Sequence, residues 1–315
     1  MDQLDTPAHK RILLTGSNGF LGQKLCDALV EHTPYVVHCT SKSKNRNPKT
    51  SGYQFTEIDL QDFASLGDLI HRFAPTHIVH TAAISSVENC ANDPALCQVV
   101  NVDSVDFLAD ICEKNGIHLT FLSTDFVFDG QNGPYREDDH RQPTNAYGHS
   151  KYRAEAILQS SQTRYAILRT ILVYGITADK NRSNLILWAK EKLANKEQIN
   201  VVDDQYRMPT FVDDLANACL LTIEHDAQGI FHISSEMMYS IKEIVEQVAA
   251  FWQLDTKLIK AVSAADIGQA TNRPAKTGFV IKKAKDLLGF EPTPLLQSFQ
   301  LMDEQIKSLN TYYGK

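Results

Sequence analysis

The segment Thr15-Gly16-Ser17-Asn18-Gly19-Phe20-Leu21-Gly22 restricts the possible folds of this chain more than any other stretch. It follows the apolar run Ile12-Leu13-Leu14 and opens a helical pattern over about 20–32. A strand, a glycine-rich turn and a helix in that order bring backbone close to a phosphate. Gly16 permits the tight turn, Gly19 lets the backbone approach a pyrophosphate, and Gly22 allows close helix–strand packing. Asn18, Phe20 and Leu21 complete the loop and the first helical turn, whose free N–H groups suit phosphate oxygens.

The first half of the chain repeats this alternation. Strands are expected over 35–40, 55–58, around Ile78-Val79 and over 119–122. Phe63, Leu66, Ile70 and Phe73 recur at helical spacing behind Asp62, a plausible N-cap, and Val105, Leu108, Ala109 and Cys112 form another stripe. Most of the strands are uniformly apolar, which implies a parallel sheet covered on both faces. The expected fold is therefore an α/β, Rossmann-like, doubly wound sheet with a smaller C-terminal lobe for substrate. Residues 1–174 are read as the dinucleotide-binding domain, with 205–235 returning to it. Residues 175–204 and 236–315 form the lobe. Within 205–235, an extended stretch over 208–212 leads to a helix capped by Asp213, and a strand follows over 229–233. Helices are expected over 184–195, around 241–252, over 282–288 and over 295–307.

Charge and composition exclude several classes. With 31 basic and 38 acidic residues in 315, the net charge of -7 argues against sequence-independent nucleic-acid binding. No apolar run approaches the ~18 residues of a membrane span, and the N-terminus has no signal-peptide core, so a cytoplasmic protein is expected. The six cysteines read as reduced, mostly buried thiols. His77 and His80 alternate with apolar residues as packed strand histidines do, and without metal-ligand spacing no catalytic metal is expected.

The end of the second strand bears on the cofactor. An acidic residue is usual about 20 residues after the glycines, where it binds a ribose 2′-hydroxyl. Here the stretch carries Lys42, Lys44 and Arg46 among serines, and no acid, which suits a 2′-phosphate. NADPH is the expected cofactor, with NADH the alternative. Asp59, followed by Leu60, can accept from an adenine amino group, and Ala82-Ala83 leave room for the dinucleotide at the fourth strand's end.

Tyr147 and Lys151 lie four apart on one helical face. An ammonium beside a phenol lowers its pKa from about 10, so Tyr147 can exchange a proton with a carbonyl oxygen as hydride reaches the carbon. Ser123 and Thr124, at the end of the fifth strand, supply a hydroxyl on the same sheet edge.

With these motifs in order, the chain resembles the extended short-chain dehydrogenases/reductases. Within them it is most similar to the dTDP-4-dehydrorhamnose reductase family. The resemblance rests on TGSNGFLG, Asp59-Leu60, HTAA, Asn101-Val102, STDFVFDG over 123–130, Pro143 to Gly148, and Arg169-Thr170 through Gly175. Asp204-Gln205 to Pro209-Thr210 and Arg273-Pro274 continue it, more loosely. It implies that Thr124 binds the substrate carbonyl, Tyr147 donates the proton and Lys151 holds the nicotinamide ribose. Asn101 joins the cofactor set in a supporting role. Asp125, Asn145 and Leu172 would border the sugar, and Arg207 and Arg273 would bind its diphosphate. Leu172 stands where that family has Trp, and Arg207 resembles the sugar-nucleotide epimerases. The implied function is NADPH-dependent reduction of a nucleotide-linked 4-keto-6-deoxysugar, with a homodimer as one possible assembly. Two alternatives stay open: a nucleotide-sugar epimerase or dehydratase, and a non-catalytic NADP-binding subunit like that of methionine adenosyltransferase. If the basic segment reads a 2′-phosphate, Lys42→Ala weakens NADPH binding and leaves NADH nearly unchanged, as titration at fixed ionic strength would show.

Overall fold

The computed structural model describes residues 10–178, 183–268 and 273–312. Strands β1 (Arg11–Thr15), β2 (Val36–Ser41), β3 (Gln54–Glu57), β4 (His77–His80), β5 (His118–Thr124) and β6 (Tyr165–Thr170) form most of the central sheet. Its order is β3-β2-β1-β4-β5-β6, and strand Gly229–Ile233 completes it beside β6. All six pairings are parallel. Strand order reverses at β1, so a crevice opens at the carboxyl ends of β1 and β4.

The apolar strands serve two cores. Side chains alternate across a strand, so Ile12 and Leu14 of β1 enter one core and Leu13 the other. The first core lies beneath the helices Phe20–His32 and Val212–Glu224, and includes Leu25, Leu29, Leu215 and Cys219. The second lies beneath Phe63–Phe73, Ser104–Asn115 and Ala146–Ser160, and includes Leu66, Leu108 and Leu158. Burial on both faces is why these strands carry no polar alternation.

A third core holds the C-terminal part together. Ile244 and Val248 of helix Ile241–Phe251 pack with Tyr174, Leu193, Phe299 and Met302. Ser240 and Glu243 form a reciprocal capping box at that helix's start. Short pairs, Ile199–Val202 with Ile259–Val262 and Tyr206–Arg207 with Tyr239–Ser240, frame this region. Among the described residues no helix is long and apolar enough to cross a membrane.

Three expectations are corrected. Only Thr210–Phe211 of the 208–212 stretch is a strand, paired with Val173–Tyr174. The helix starts directly after it, so Asp213 falls inside the first turn rather than at the cap, and it pairs with Lys24 at 3.0 Å. Two short helices, Val87–Asn92 and Pro94–Gln98, then a π-helical turn Val99–Asp103, follow β4. They bring the Cys90 and Cys97 Cα atoms to 5.1 Å and join their sulfurs, so these two are not free thiols. Cys26, Cys39, Cys112 and Cys219 are free and buried. Asp62 caps its helix through Ser65 N, as expected.

The glycine loop is packed to contact. Gly16 has a φ of 73°, and a Cβ there would lie 2.6 Å from the Ala82 backbone nitrogen. A Cβ at Gly22 would overlap the Gly16 carbonyl oxygen. Gly22→Ala should therefore lower stability by about 1–3 kcal/mol, the usual range for overpacking, read as a lower urea midpoint.

Candidate active site

The carboxyl edge gathers the expected elements. Gly19 N donates to Gly16 O at 2.8 Å and closes the loop after β1. The helix Phe20–His32 begins without a side-chain cap and with no acid in its first turn. Its leading N–H groups and the positive dipole end are thus suited to an anion. Half-buried Ala82 and Ala83 follow β4 and offer only methyl groups beside the loop. The Asp59 carboxylate accepts from Gln61 N at 3.0 Å, beside buried Leu60. Together these residues fit a dinucleotide: the cradle at Gly16 and Gly22 is one that a Cβ would fill.

Lys42, Lys44 and Arg46 are exposed just beyond β2. Asn18 is buried, and its side chain engages that segment rather than the phosphate position. Nδ2 donates to Ser43 O at 3.0 Å and Lys44 O at 2.9 Å, and Oδ1 accepts from Arg46 N at 2.9 Å. Asn101 is also internal. Its Oδ1 accepts from Ile84 N at 2.8 Å, and its Nδ2 donates to Ile84 O and to Ser150 Oγ. It ties the segment after β4 to helix Ala146–Ser160.

Helix Ala146–Ser160 carries the reactive pair. Asn145 is its N-cap, accepting from Gly148 N at 2.8 Å, a role its position at a helix start could have revealed. Gly148 is required because a Cβ there would strike the Phe126 carbonyl. The Tyr147 phenol lies next to Thr124, whose side chain favours the phenolate. Thr124 Oγ1 accepts from Phe126 N at 3.2 Å and donates to Asp125 Oδ1 at 3.1 Å. Lys151 is buried; its Nζ donates to Leu122 O at 2.9 Å and stands 4.4 Å from the Phe121 ring centre.

One turn further, Glu155 is fully buried. It accepts from Ser123 Oγ at 2.5 Å, from both Nε and Nη2 of Arg169, and from Arg141 at 2.7 Å. Ser123 is thus turned to this network and leaves Thr124 as the hydroxyl next to Tyr147. Sequence reasoning missed Glu155; its signal is the i+4 position after Lys151 on the same face.

The chain matches the model of the RmlD substrate binding domain over residues 10–307. The chain belongs to that family. It is 32% identical over 281 residues to methionine adenosyltransferase 2 subunit beta of Xenopus laevis, covering 87% of this chain and 80% of that protein. It is 28% identical over 295 residues to dTDP-4-dehydrorhamnose reductase of Aggregatibacter actinomycetemcomitans, covering 90% and 95%. The fold superimposes on a dTDP-4-dehydrorhamnose reductase from Bacillus anthracis solved with NADP, at a TM-score of 0.80 and 24% identity, over 94% and 99% of the two chains. This member of the RmlD family therefore has the Rossmann-like α/β fold expected from its motifs.

The remaining expected residues differ in what they can offer a ligand. Arg207 of this RmlD-family chain is buried and committed to the protein. Its Nη1 donates to Tyr206 O and Ala275 O, its Nη2 to Pro274 O, and its Nε lies 3.9 Å from Asp125 Oδ2. These contacts organise the 273–277 turn and set the guanidinium beside the Asp125 carboxylate. Arg273 lies on the rim and donates to Glu88 at 2.8 Å. Asp125 is buried against Thr277 and the Thr124 hydroxyl. Leu172, half-buried with a φ of 40°, packs between the first and third cores.

Electrostatics also correct one expectation. Burial, then the Asp125 carboxylate, push the Tyr147 phenol above its ordinary range, opposed by the neighbouring Thr124 side chain. Tyr147 is therefore held protonated rather than lowered by Lys151. Burial drives the Lys151 ammonium down to about 7, while Glu155 favours its charged form. With a folded pKa below the unfolded value, the unfolded chain binds more protons between them, so stability rises with pH. The ligand-free protein should thus gain stability from about pH 7 towards pH 10, and Lys151→Met should lose that rise, as paired denaturant titrations across pH would show.

Proposed function

We propose that this chain is an NADPH-dependent reductase of a nucleotide-linked 4-keto-6-deoxysugar, converting dTDP-4-dehydrorhamnose to dTDP-L-rhamnose. What supports the reading is the set formed by Thr124 at the end of β5, Tyr147 beside it and buried Lys151 one turn on, all on the sheet edge that carries the glycine loop. A carbonyl oxygen within roughly 2.6–3.2 Å of both hydroxyls would be polarised by Thr124 and take its proton from Tyr147. Reduction consumes a proton, and the phenol, protonated at neutral pH, has one to give. Bound in the crevice, the reduced nicotinamide supplies hydride to the carbonyl carbon. Lys151 holds the nicotinamide ribose. The 42–46 segment takes the 2′-phosphate, and the first turn of helix Phe20–His32 takes the pyrophosphate.

Asp125, which follows Thr124, Asn145, which caps the helix that carries Tyr147, and Leu172, just beyond β6, are assigned to the sugar's surroundings. Arg207 and Arg273 are assigned to the sugar diphosphate, with Arg273 exchanging its Glu88 partner for phosphate. Leu172 presents less area than Trp and no N–H, so the site should tolerate related 4-keto sugars.

The likeness to methionine adenosyltransferase 2 subunit beta favours a second reading, an NADP-binding regulatory subunit. Such a subunit needs no hydroxyl–phenol–ammonium set, so the assembled Thr124–Tyr147–Lys151 site favours the enzyme. An epimerase that retains NAD would favour an acid after β2, which is missing.

The test is turnover of NADPH with dTDP-4-dehydrorhamnose and related 4-keto sugars. Tyr147→Phe should keep cofactor binding and lose about 10²–10⁴-fold of turnover, since only the transferable proton is removed. Failure of the wild-type, NADPH-bound protein to reduce any of these sugars overturns the reductase reading.

A further inference from the structure

The basic segment beyond β2 has an unusual attachment. Its side chains alternate, with Lys42, Lys44 and Arg46 exposed, Ser43 and Asn45 half-buried and Asn47 buried. Such a segment, rich in Lys and Ser and outside any strand, has many conformations to lose on ordering. Among the described residues, the Asn18 side chain of the glycine loop ties down its first half. Asn18 donates to the carbonyls of Ser43 and Lys44 and to Ser43 Oγ at 3.2 Å, and accepts from Arg46 N. The second half is tied down separately: Asn45 donates to Tyr53 Oη at 2.8 Å, and Asn47 donates to Asp27 at 2.7 Å.

We infer that Asn18 sets the cofactor preference, as a positioning residue that clamps the 42–46 segment onto the glycine loop so that its cations face the 2′-phosphate while the loop binds the pyrophosphate. The inference rests on the NADPH reading of the same site. Only an amide meets these demands at once. It donates to two carbonyls while accepting from a backbone N–H, which neither a hydroxyl of that length nor a carboxylate can do. The clamp spans two parts of one ligand. One end of it belongs to the loop that takes a pyrophosphate common to NADH and NADPH. The other end holds the cations that only the 2′-phosphate uses. Loss of the clamp therefore acts on NADPH selectively, by lowering the fraction of molecules in which the segment is arranged for binding.

Dissociation constants for NADPH and NADH, measured by fluorescence titration at one ionic strength, test this on wild type and Asn18→Ala. A competent fraction reduced to about a tenth gives about a tenfold fall in the NADPH-over-NADH preference, with most of the loss on NADPH. A variant that weakens both cofactors by the same factor shows a general structural role and overturns the clamp. So does a variant that keeps the wild-type ratio. Absence of any NADPH preference in the wild type overturns the cofactor reading and the clamp together. If Asn18→Ala does not fold, Asn18→Ser, which keeps a small polar side chain in the same place, carries the same measurement and the same outcomes.

Discussion

Glu155 is a carboxylate with no access to water, and the geometry of the reactive edge hangs on how it is neutralised. Arg169 of β6 meets it through two N–H groups, Arg141 adds a third, and Ser123 of β5 a fourth hydrogen bond. Helix Ala146–Ser160 is therefore fastened to the ends of two sheet strands by charge-assisted bonds rather than by apolar packing alone. Removing one partner from a buried pair of this kind typically costs 3–5 kcal/mol, because the other charge is stranded. The consequence is positional. With Ser123 held by Glu155, Thr124 alternates to the opposite side of β5 and meets Tyr147 from the same helix that Glu155 anchors.

The reactive groups show how burial divides labour among neighbours. Lys151 and Tyr147 are both desolvated, but in opposite senses: each is driven towards its neutral form. Asp125 reinforces this for the phenol, and its own charge is offset by buried Arg207. Arg207 thus influences the reactive edge through Asp125. A site poised with a neutral phenol suits proton donation, the step that a carbonyl reduction demands.

The fold was largely legible because its signals are local and redundant. The glycine loop, the apolar strands and the stripes at Leu66–Ile70 and Val105–Cys112 each imply a covered parallel sheet on their own. The strand at 229–233 could be read from its boundaries with Gly229. Less legible was the 87–103 region, where three short helical pieces lack the length to show periodicity, and the Cys90–Cys97 pairing depends on how they fold back on each other. The Asp213 cap failed because the preceding two-residue strand runs straight into the helix.

Residue types and spacings alone determined the class of site: glycines at a strand–helix turn, a basic segment after β2, and Tyr147 and Lys151 on one helical face. What each polar side chain does there was decided by tertiary contacts. Asn18, Asn101 and Asn145 are all amides near the site, and each is committed to the protein: one to a basic segment, one to Ile84 and Ser150, one to a helix cap. Arg207 and Arg273 look alike in sequence, yet one is buried among carbonyls and the other lies on the rim. The reason is that a polar group's role depends on which partners surround it once water is excluded, and those partners come from segments far apart in the chain.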